Sequence, residues 1–243
     1  MISIKKHIPN SITCLNLLSG CLACMFAFKG YANAQYVYLA GMLICAAAVF
    51  DFLDGFAARL LKAYSPMGKE LDSLADLISF GFAPGVISMQ IANIIIPPSY
   101  TEWWFEALPY FAFAIPVFAG LRLAKFNIDT RQTTSFIGLP VPANALFWIG
   151  MYTLTAKYEW MECIYLWIAM VILFSYMMIS EIPMFSLKFS NLKFKENLIR
   201  YILIVGTILF VVFMGYAGLA PSILFYIILS IVQNSISKRQ IAK

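Results

Sequence analysis

Long apolar runs follow one another along almost the whole chain, and this pattern constrains the fold more than any other feature of the sequence. Hydrophobic residues make up 62% of the 243 residues and charged residues only 12%, whereas a soluble domain is about half apolar and a quarter charged. Long uninterrupted runs are typical of membrane-spanning helices, because barrel strands alternate apolar and polar residues over short segments. We therefore predict an all-α, polytopic integral membrane protein with a single domain over residues 1–243.

Eight membrane spans are predicted, with bounds given to within a few residues. The second and third are longer than the ~20 residues that cross a bilayer, so their ends should project from it or bend. Pro84 and Gly85 mark the expected bend in the third span. The predicted spans are 11–28, 36–62, 66–96, 107–127, 142–156, 161–180, 198–214 and 219–236.

The basic residues give this arrangement an orientation. With eight spans, only Lys29 and Lys157 of the 17 basic residues fall on the side opposite the termini. The positive-inside rule then places both termini in the cytoplasm. We expect a multi-pass protein of the inner (cytoplasmic) membrane, whose basic face attracts the headgroups of membrane lipids. We expect no nucleic-acid partner.

Histidine and cysteine provide no obvious catalytic set. His7 is the only histidine, which excludes a histidine-based metal or catalytic site. Most of the five cysteines lie within apolar runs, and free cysteine packs as a small hydrophobe. Cys21 and Cys24 form a CxxC, but no second pair and no strand context accompany them.

Four aspartates occur where the second and third spans meet. Asp51 and Asp54 lie near the predicted cytoplasmic end of the second span, and Asp72 and Asp76 lie near the start of the third. Residues three or four positions apart share a helix face, so each helix presents two carboxylates on one side. The short connection "AYSPMG" makes the helices adjacent and antiparallel, so we expect the two pairs to face each other.

Carboxylates at such close range repel one another in a low-dielectric site and need a cation to remain charged. Oxygen ligands favour hard divalent metals, here Mg²⁺ or Mn²⁺, with Ca²⁺ as a further option. Two such ions between the helices can hold a phosphate-rich substrate. On the same face, Gly55 and Ala58 leave room for a bulky ligand, and Arg59 is placed to contact phosphate or a carboxylate.

The start of the third span has the features of an anion site. Ser65 is a predicted N-cap followed by Pro66 at the first helical position. Gly68 lies in the first turn, where a helix N-terminus favours anions. Glu70 falls outside this pattern and is expected to be a solvated turn residue. A cation-transport path and a structural ion-pair network are the alternative interpretations of intramembrane acids.

The segment "DFLDGFAARLLKAYSPMGKELDSLAD" resembles the signature of the CDP-alcohol phosphotransferases, D-x2-D-G-x2-A-R-x8-G-x3-D-x3-D, at every fixed position. Other segments resemble the bacterial phosphatidylserine synthases of that family: "IPNSITCLNLLSG", "ELDSLADLISFGFAPG", "GLRLAKFN" and "FIGLPVPANA". The resemblance covers roughly the first 150 residues. It implies transfer of the phosphatidyl group of CDP-diacylglycerol to L-serine, which gives phosphatidylserine and CMP.

The resemblance also implies roles for individual residues. The aspartates hold two divalent metal ions, and Asp76 is in addition the general base. Thr13 and Asn16 approach the nucleotide or diphosphate, unless they only make polar contacts within their own helix. The residues implied to surround the CDP portion are Thr13, Asn16, Gly55, Ala58, Arg59, Ser65 and Gly68.

A zwitterionic acceptor such as serine needs a cation for its carboxylate. Arg122, Lys125 and Arg131 are the candidates, unless they only anchor their span among the headgroups. Arg122 is favoured because it lies deepest. Asn127 either binds the acceptor or ends the helix.

The function retains alternatives at this point. A related enzyme would use glycerol phosphate or inositol phosphate as its acceptor alcohol, and a cation transporter would use the same acids without lipid turnover. A homodimer is expected by analogy with the family.

Overall fold

The structure, a computed structural model, describes residues 7–97, 99, 102–129, 136–186, 193–194 and 197–241, without the side chains of 160 and 236–241. The all-α prediction is confirmed, because the described residues are overwhelmingly helical. Two-residue strands β1 (Phe136–Ile137) and β2 (Pro183–Met184) pair antiparallel. The α-helices are α1 His7–Lys29, α2 Gln35–Leu60, α3 Pro66–Asp76, α4 Ala83–Ile95, α5 Trp103–Ala107, α6 Ala114–Ile128, α7 Val141–Lys157, α8 Ile164–Ile179, α9 Leu198–Met214 and α10 Leu219–Ile241.

Each of the eight predicted spans corresponds to helix within a few residues, but the structure does not confirm that all eight cross a membrane. In the described residues, five segments are long and apolar enough to do so. α7 and α8 have 17 and 16 residues, fewer than the ~20 needed to cross unaided. The five candidates are His7–Lys29, Gln35–Leu60, Pro66–Ile95, Trp103–Ile128 and Leu198–Ser235.

The last of these candidates is a helical hairpin. Gly215 has a φ of 62°, a left-handed conformation that glycine adopts readily, and a short 3₁₀ turn over Gly215–Gly218 joins α9 to α10. The two helices pack against each other, and the Phe210 and Phe225 rings meet edge to face at 6.2 Å. The chain therefore reverses at Gly215, as the two separate predicted spans require.

α4 is the central helix of the core, because residues 83–92 are all buried. It packs against α1 and α7, and Gly85 allows Pro116 of α6 to approach closely. Immediately upstream of Pro84, where a bend is expected, the helix is π-helical over Leu77–Phe82. This wider helix shifts the backbone register just before a residue that has no N–H to donate.

The same π-helical segment brings α1 against the acidic region. A Cβ added to Gly20 would lie 2.8 Å from the Cα of Ser79, so only glycine fits at this crossing. The Ser79 hydroxyl donates to the Asn16 carbonyl oxygen at 3.0 Å. α1 is thereby fixed next to the helix that carries Asp76.

Substituting Gly150 by alanine should destabilise the packing of α7 on α10. A Cβ there would lie 2.2 Å from the backbone nitrogen of Ala220, and backbone cannot move aside as a flexible side chain can. Overpacking of this kind costs about 1–3 kcal/mol, so we expect a melting temperature several degrees lower by circular dichroism in detergent.

Gly120→Ala is the matched control, since a Cβ there meets only the Leu77 side chain at 3.6 Å. It should leave the melting temperature unchanged or slightly raised, because alanine is the better helix former. Equal losses in the two variants would contradict the proposed close approach.

Candidate active site

The local sequence explains how the two acidic helix ends meet. α2 ends in a C-cap motif in which Lys62 has a φ of 51° and the Ala63 N–H donates to the Ala58 carbonyl at 3.0 Å. Ser65 then caps α3, its hydroxyl accepting from the Gly68 N–H at 3.0 Å, with Pro66 in the first turn. The predicted cap is confirmed, and the tight connection makes the end of α2 the neighbour of the start of α3.

Three of the four aspartates converge. Asp51, Asp72 and Asp76 each place one carboxylate oxygen within 4.8 Å of the others. Three carboxylates this close are stable together only with a cation or bound protons between them. Among the described residues, the buried Asp72 Oδ1 has no hydrogen-bond partner. This oxygen-only, partly unsatisfied donor set fits a hard divalent metal ion.

Asp54 lies beside this group and is not one of its three members. It is 6% exposed, and its Oδ2 has no hydrogen-bond partner among the described residues. Asp54 and Asp72 both line a neighbouring cavity. The structure therefore brings three predicted metal ligands together, and the fourth lies beside them in the wall of that cavity.

The cavity, which we call the signature cavity, has a volume of about 200 Å³ and lies among α1, α2 and the start of α3. Most of the residues that sequence analysis assigned to nucleotide binding line this cavity. Arg59 is exposed, and its guanidinium lies next to Gly55. The lining residues are Pro9, Asn10, Thr13, Asp54, Gly55, Ala58, Ala63, Tyr64, Ser65, Gly68, Lys69 and Asp72.

The two α1 residues that were predicted to approach the nucleotide differ in their contacts. The Thr13 hydroxyl donates to the Pro9 carbonyl at 3.1 Å, which is the intrahelical contact considered as its alternative role. Asn16 is fully buried, and its Nδ2 donates to Asp76 Oδ1 at 3.2 Å. Asn16 therefore contacts a carboxylate of the acidic group and makes no side-chain hydrogen bond within its own helix.

Arg122 is the most deeply buried of the described acceptor-binding candidates, as expected. It is 7% exposed, and its guanidinium carbon lies 5.2 Å from the Phe126 ring centroid and 6.0 Å from that of Phe136. Its Nε has no hydrogen-bond partner among the described residues, and it interacts electrostatically with Asp76. Arg122 thus supplies a buried positive charge near the acidic group.

The other candidates for the acceptor site are already engaged or lie outside the described residues. Lys125 forms an ion pair with Glu181 and donates to the Ile179 carbonyl at 3.2 Å. Asn127 donates from Nδ2 to the Ser73 hydroxyl at 2.8 Å. Arg131 lies outside the described residues.

Sequence analysis missed a connection between α3 and the end of α6. Lys69 Nζ donates to the Asn127 carbonyl at 3.0 Å, one turn of α3 from the Ser73–Asn127 bond. The spacing of Lys69 and Ser73 shows that they share a helix face, but nothing local indicates a partner more than fifty residues away. Glu70 is exposed, as predicted, but it lies in helix α3 and not in a turn.

Comparison with known proteins supports the signature match. Residues 6–175 match the family model described as CDP-alcohol phosphatidyltransferase. A Mycobacterium leprae protein named CDP-diacylglycerol–serine O-phosphatidyltransferase is 35% identical over 191 residues, which cover 73% of this chain and 57% of that relative. This chain therefore spans little more than half of the Mycobacterium protein's length.

Two further relatives have the same name. The Helicobacter pylori protein is 32% identical over 202 residues, covering 81% of this chain and 78% of its own length. The Bacillus subtilis protein is 36% identical over 138 residues, covering 56% of this chain and 70% of its own length.

Replacing Asp72 by asparagine should weaken divalent-cation binding at least about tenfold, because a charged ligand is replaced by a neutral amide. Titration with Mn²⁺, followed by the electron paramagnetic resonance of the free ion, measures this directly. Glu70→Gln, an exposed acid two residues away on the same helix, is the matched control and should bind Mn²⁺ as the wild type does. An equal loss in both variants would assign the effect to general surface charge.

Proposed function

The chain belongs to the CDP-alcohol phosphatidyltransferase family, and we propose on this premise that it transfers the phosphatidyl group of CDP-diacylglycerol to the hydroxyl of L-serine. The products are phosphatidylserine and CMP. The observation that carries the proposal is the convergence of Asp51, Asp72 and Asp76 beside the signature cavity. The names of the three relatives support serine as the acceptor.

The CDP portion of the donor is assigned to the signature cavity. Gly55, Ala58 and Gly68 give its wall little side-chain bulk, so the nucleotide can approach the backbone closely. The N-terminal turn of α3 directs its positive dipole end into this space, which favours phosphate groups. Thr13 and Ser65 supply polar groups to the cavity wall, and Arg59 lies at its edge, where the guanidinium can contact phosphate.

We propose that the aspartates would hold a divalent metal, either Mg²⁺ or Mn²⁺. Two ions are proposed. Asp51, Asp72 and Asp76 offer the converging oxygens, and Asp54 adds a buried oxygen beside them. When bound, the metal neutralises the diphosphate and stabilises the departing CMP. The carboxylates also require that positive charge for their own stability.

Asp76 is proposed to be the general base. Asn16 donates to its Oδ1, which orients the carboxyl group and leaves Oδ2 to receive the serine hydroxyl proton. As that proton moves to Asp76, the serine oxygen forms a bond to the phosphorus next to diacylglycerol. The bond from that phosphorus to the oxygen of CMP breaks, and the electron pair leaves with CMP.

Arg122 is proposed to bind the carboxylate of serine. Its Nε has no hydrogen-bond partner among the described residues, and the buried guanidinium interacts electrostatically with Asp76. Lys125, Asn127 and Arg131 remain secondary candidates for this site. In cells we place the enzyme in the inner membrane as a homodimer, with both termini and the active site facing the cytoplasm.

Purified protein with labelled CDP-diacylglycerol and a panel of alcohols tests the proposal. We expect metal-dependent phosphatidylserine and CMP with L-serine, and no product with glycerol phosphate or inositol phosphate. Product with one of those alcohols alone would overturn the choice of serine. Ion flux in liposomes without lipid turnover would overturn enzymatic function itself.

Asp76→Asn should lower the serine-dependent rate of CMP release by about 10²- to 10⁴-fold, the usual contribution of a positioned general base. The amide keeps the size of the side chain but cannot take up the proton. Glu70→Gln is the control and should keep the wild-type rate. A rate in Asp76→Asn within a factor of two of wild type would exclude Asp76 as the base.

Asn16→Ala should lower kcat about 10- to 100-fold, as loss of a residue that orients an active-site ligand does, with little change in KM for CDP-diacylglycerol. If Asn16 instead contacts the nucleotide, KM should rise and kcat should be kept. Ser11→Ala is the matched control, because the exposed Ser11 hydroxyl donates to the His7 carbonyl in its own helix and contacts no aspartate among the described residues.

A further inference from the structure

A second cavity, which we call the apolar cavity, lies among α7, α9, α10 and β1 and is separate from the signature cavity. Its volume is about 320 Å³. Leu203 is the only buried residue of α9, and its side chain forms part of the wall. Its lining residues include Phe136, Ala143, Leu146, Leu203, Ile223 and Tyr226.

One end of the apolar cavity lies beside the proposed reaction centre. The Phe136 ring lines the cavity, and its centroid is 6.0 Å from the guanidinium carbon of Arg122. Tyr226 also lines it, donates from its hydroxyl to the Phe185 carbonyl at 2.9 Å, and interacts electrostatically with Arg122. Arg122 interacts in turn with Asp76, so this end of the apolar cavity lies beside the residue proposed to bind serine.

From that end the apolar cavity follows the helices into the hydrophobic part of the molecule. It is lined along α10 from Leu219 to Tyr226, which is roughly 10 Å at 1.5 Å per residue. The outer face of α9 is apolar and exposed, for example Val205 at 56%. A helix with such a surface is surrounded by lipid, so hydrocarbon rather than water is available to enter the cavity.

We propose that the apolar cavity binds one acyl chain of the CDP-diacylglycerol substrate. This inference rests on the proposed function and identifies where the lipid part of the donor lies. Asp72 borders the signature cavity, and Asp76, one helical turn further along α3, interacts electrostatically with Arg122. The Phe136 ring next to Arg122 lines the apolar cavity. A donor with its CDP in the first cavity and its diphosphate at the aspartates therefore directs a chain into the second.

Filling the apolar cavity should change the preference of the enzyme for chain length. Leu203→Trp adds bulk to a side chain that is 5% exposed and faces the cavity. We expect the ratio of kcat/KM for dioleoyl over dioctanoyl CDP-diacylglycerol to fall about tenfold, because burial of roughly two methylene groups is lost. Turnover of the dioctanoyl substrate should fall less than turnover of the dioleoyl substrate.

Val205→Trp is the matched control, on the same helix but exposed to lipid, and should leave the ratio unchanged. Ala143→Leu is a second, milder filling variant, which should shift the ratio in the same direction if Leu203→Trp fails to fold. An unchanged ratio in a folded filling variant, or an equal change in Val205→Trp, would overturn the proposal.

Photocrosslinking supplies a readout that does not depend on turnover. CDP-diacylglycerol with a diazirine near the end of one chain should label residues of the apolar cavity, such as Leu146 or Ile223, and excess unlabelled CDP-diacylglycerol should suppress the labelling. Labelling only of exposed residues of α9, or labelling that phosphatidylglycerol suppresses equally well, would show that the cavity holds ordinary bilayer lipid and would overturn the proposal. If the wild type makes no phosphatidylserine but the cavity is specifically labelled, only the proposed reaction fails.

Discussion

The repulsion among Asp51, Asp72 and Asp76 is the interaction on which the rest of the site depends. Their oxygens lie within 4.8 Å of one another, and like charges at that distance in a low-dielectric environment are stable only if a cation is held between them. Flexible loops would separate the carboxylates. Here all three lie on helices, whose ends are joined through the left-handed Lys62 and the capped Ser65, so the backbone keeps them together.

Hydrogen bonds from α1 hold this arrangement in place. Asn16 holds the Asp76 carboxylate directly, and its carbonyl accepts from Ser79, which lies in the π-helical segment that follows Asp76. Such segments occur often at functional sites, since they shift a helix locally without ending it. The irregularity here has two consequences. It accommodates Pro84, and it allows Gly20 to bring α1 into contact with the helix that carries the proposed base.

The sequence predicted features that depend on residues close together in the chain. It did not predict contacts between residues far apart in the chain. The facing acids and the Ser65 cap follow from spacings of three or four residues, so helical geometry was enough. The contacts of Asn16 with Asp76, Lys125 with Glu181 and Asn127 with Ser73 join residues more than fifty positions apart, and no local pattern encodes them. The hydropathy of the sequence likewise predicted eight helical segments. It could not predict whether all eight cross the membrane, because α7 and α8 are short and helix length alone does not decide this.

The two cavities differ in the same way as the two halves of the proposed donor. The signature cavity is lined by carboxylates, hydroxyls and a helix N-terminus, and the apolar cavity is lined by leucine, isoleucine and aromatic side chains. A molecule with a charged nucleotide at one end and hydrocarbon at the other gains free energy only when each end lies in the matching environment. Its diphosphate must then lie at the boundary between them. In the proposed binding mode the aspartates and Arg122 lie at that boundary, so partition of the substrate itself would bring the reacting phosphorus to the proposed base, Asp76.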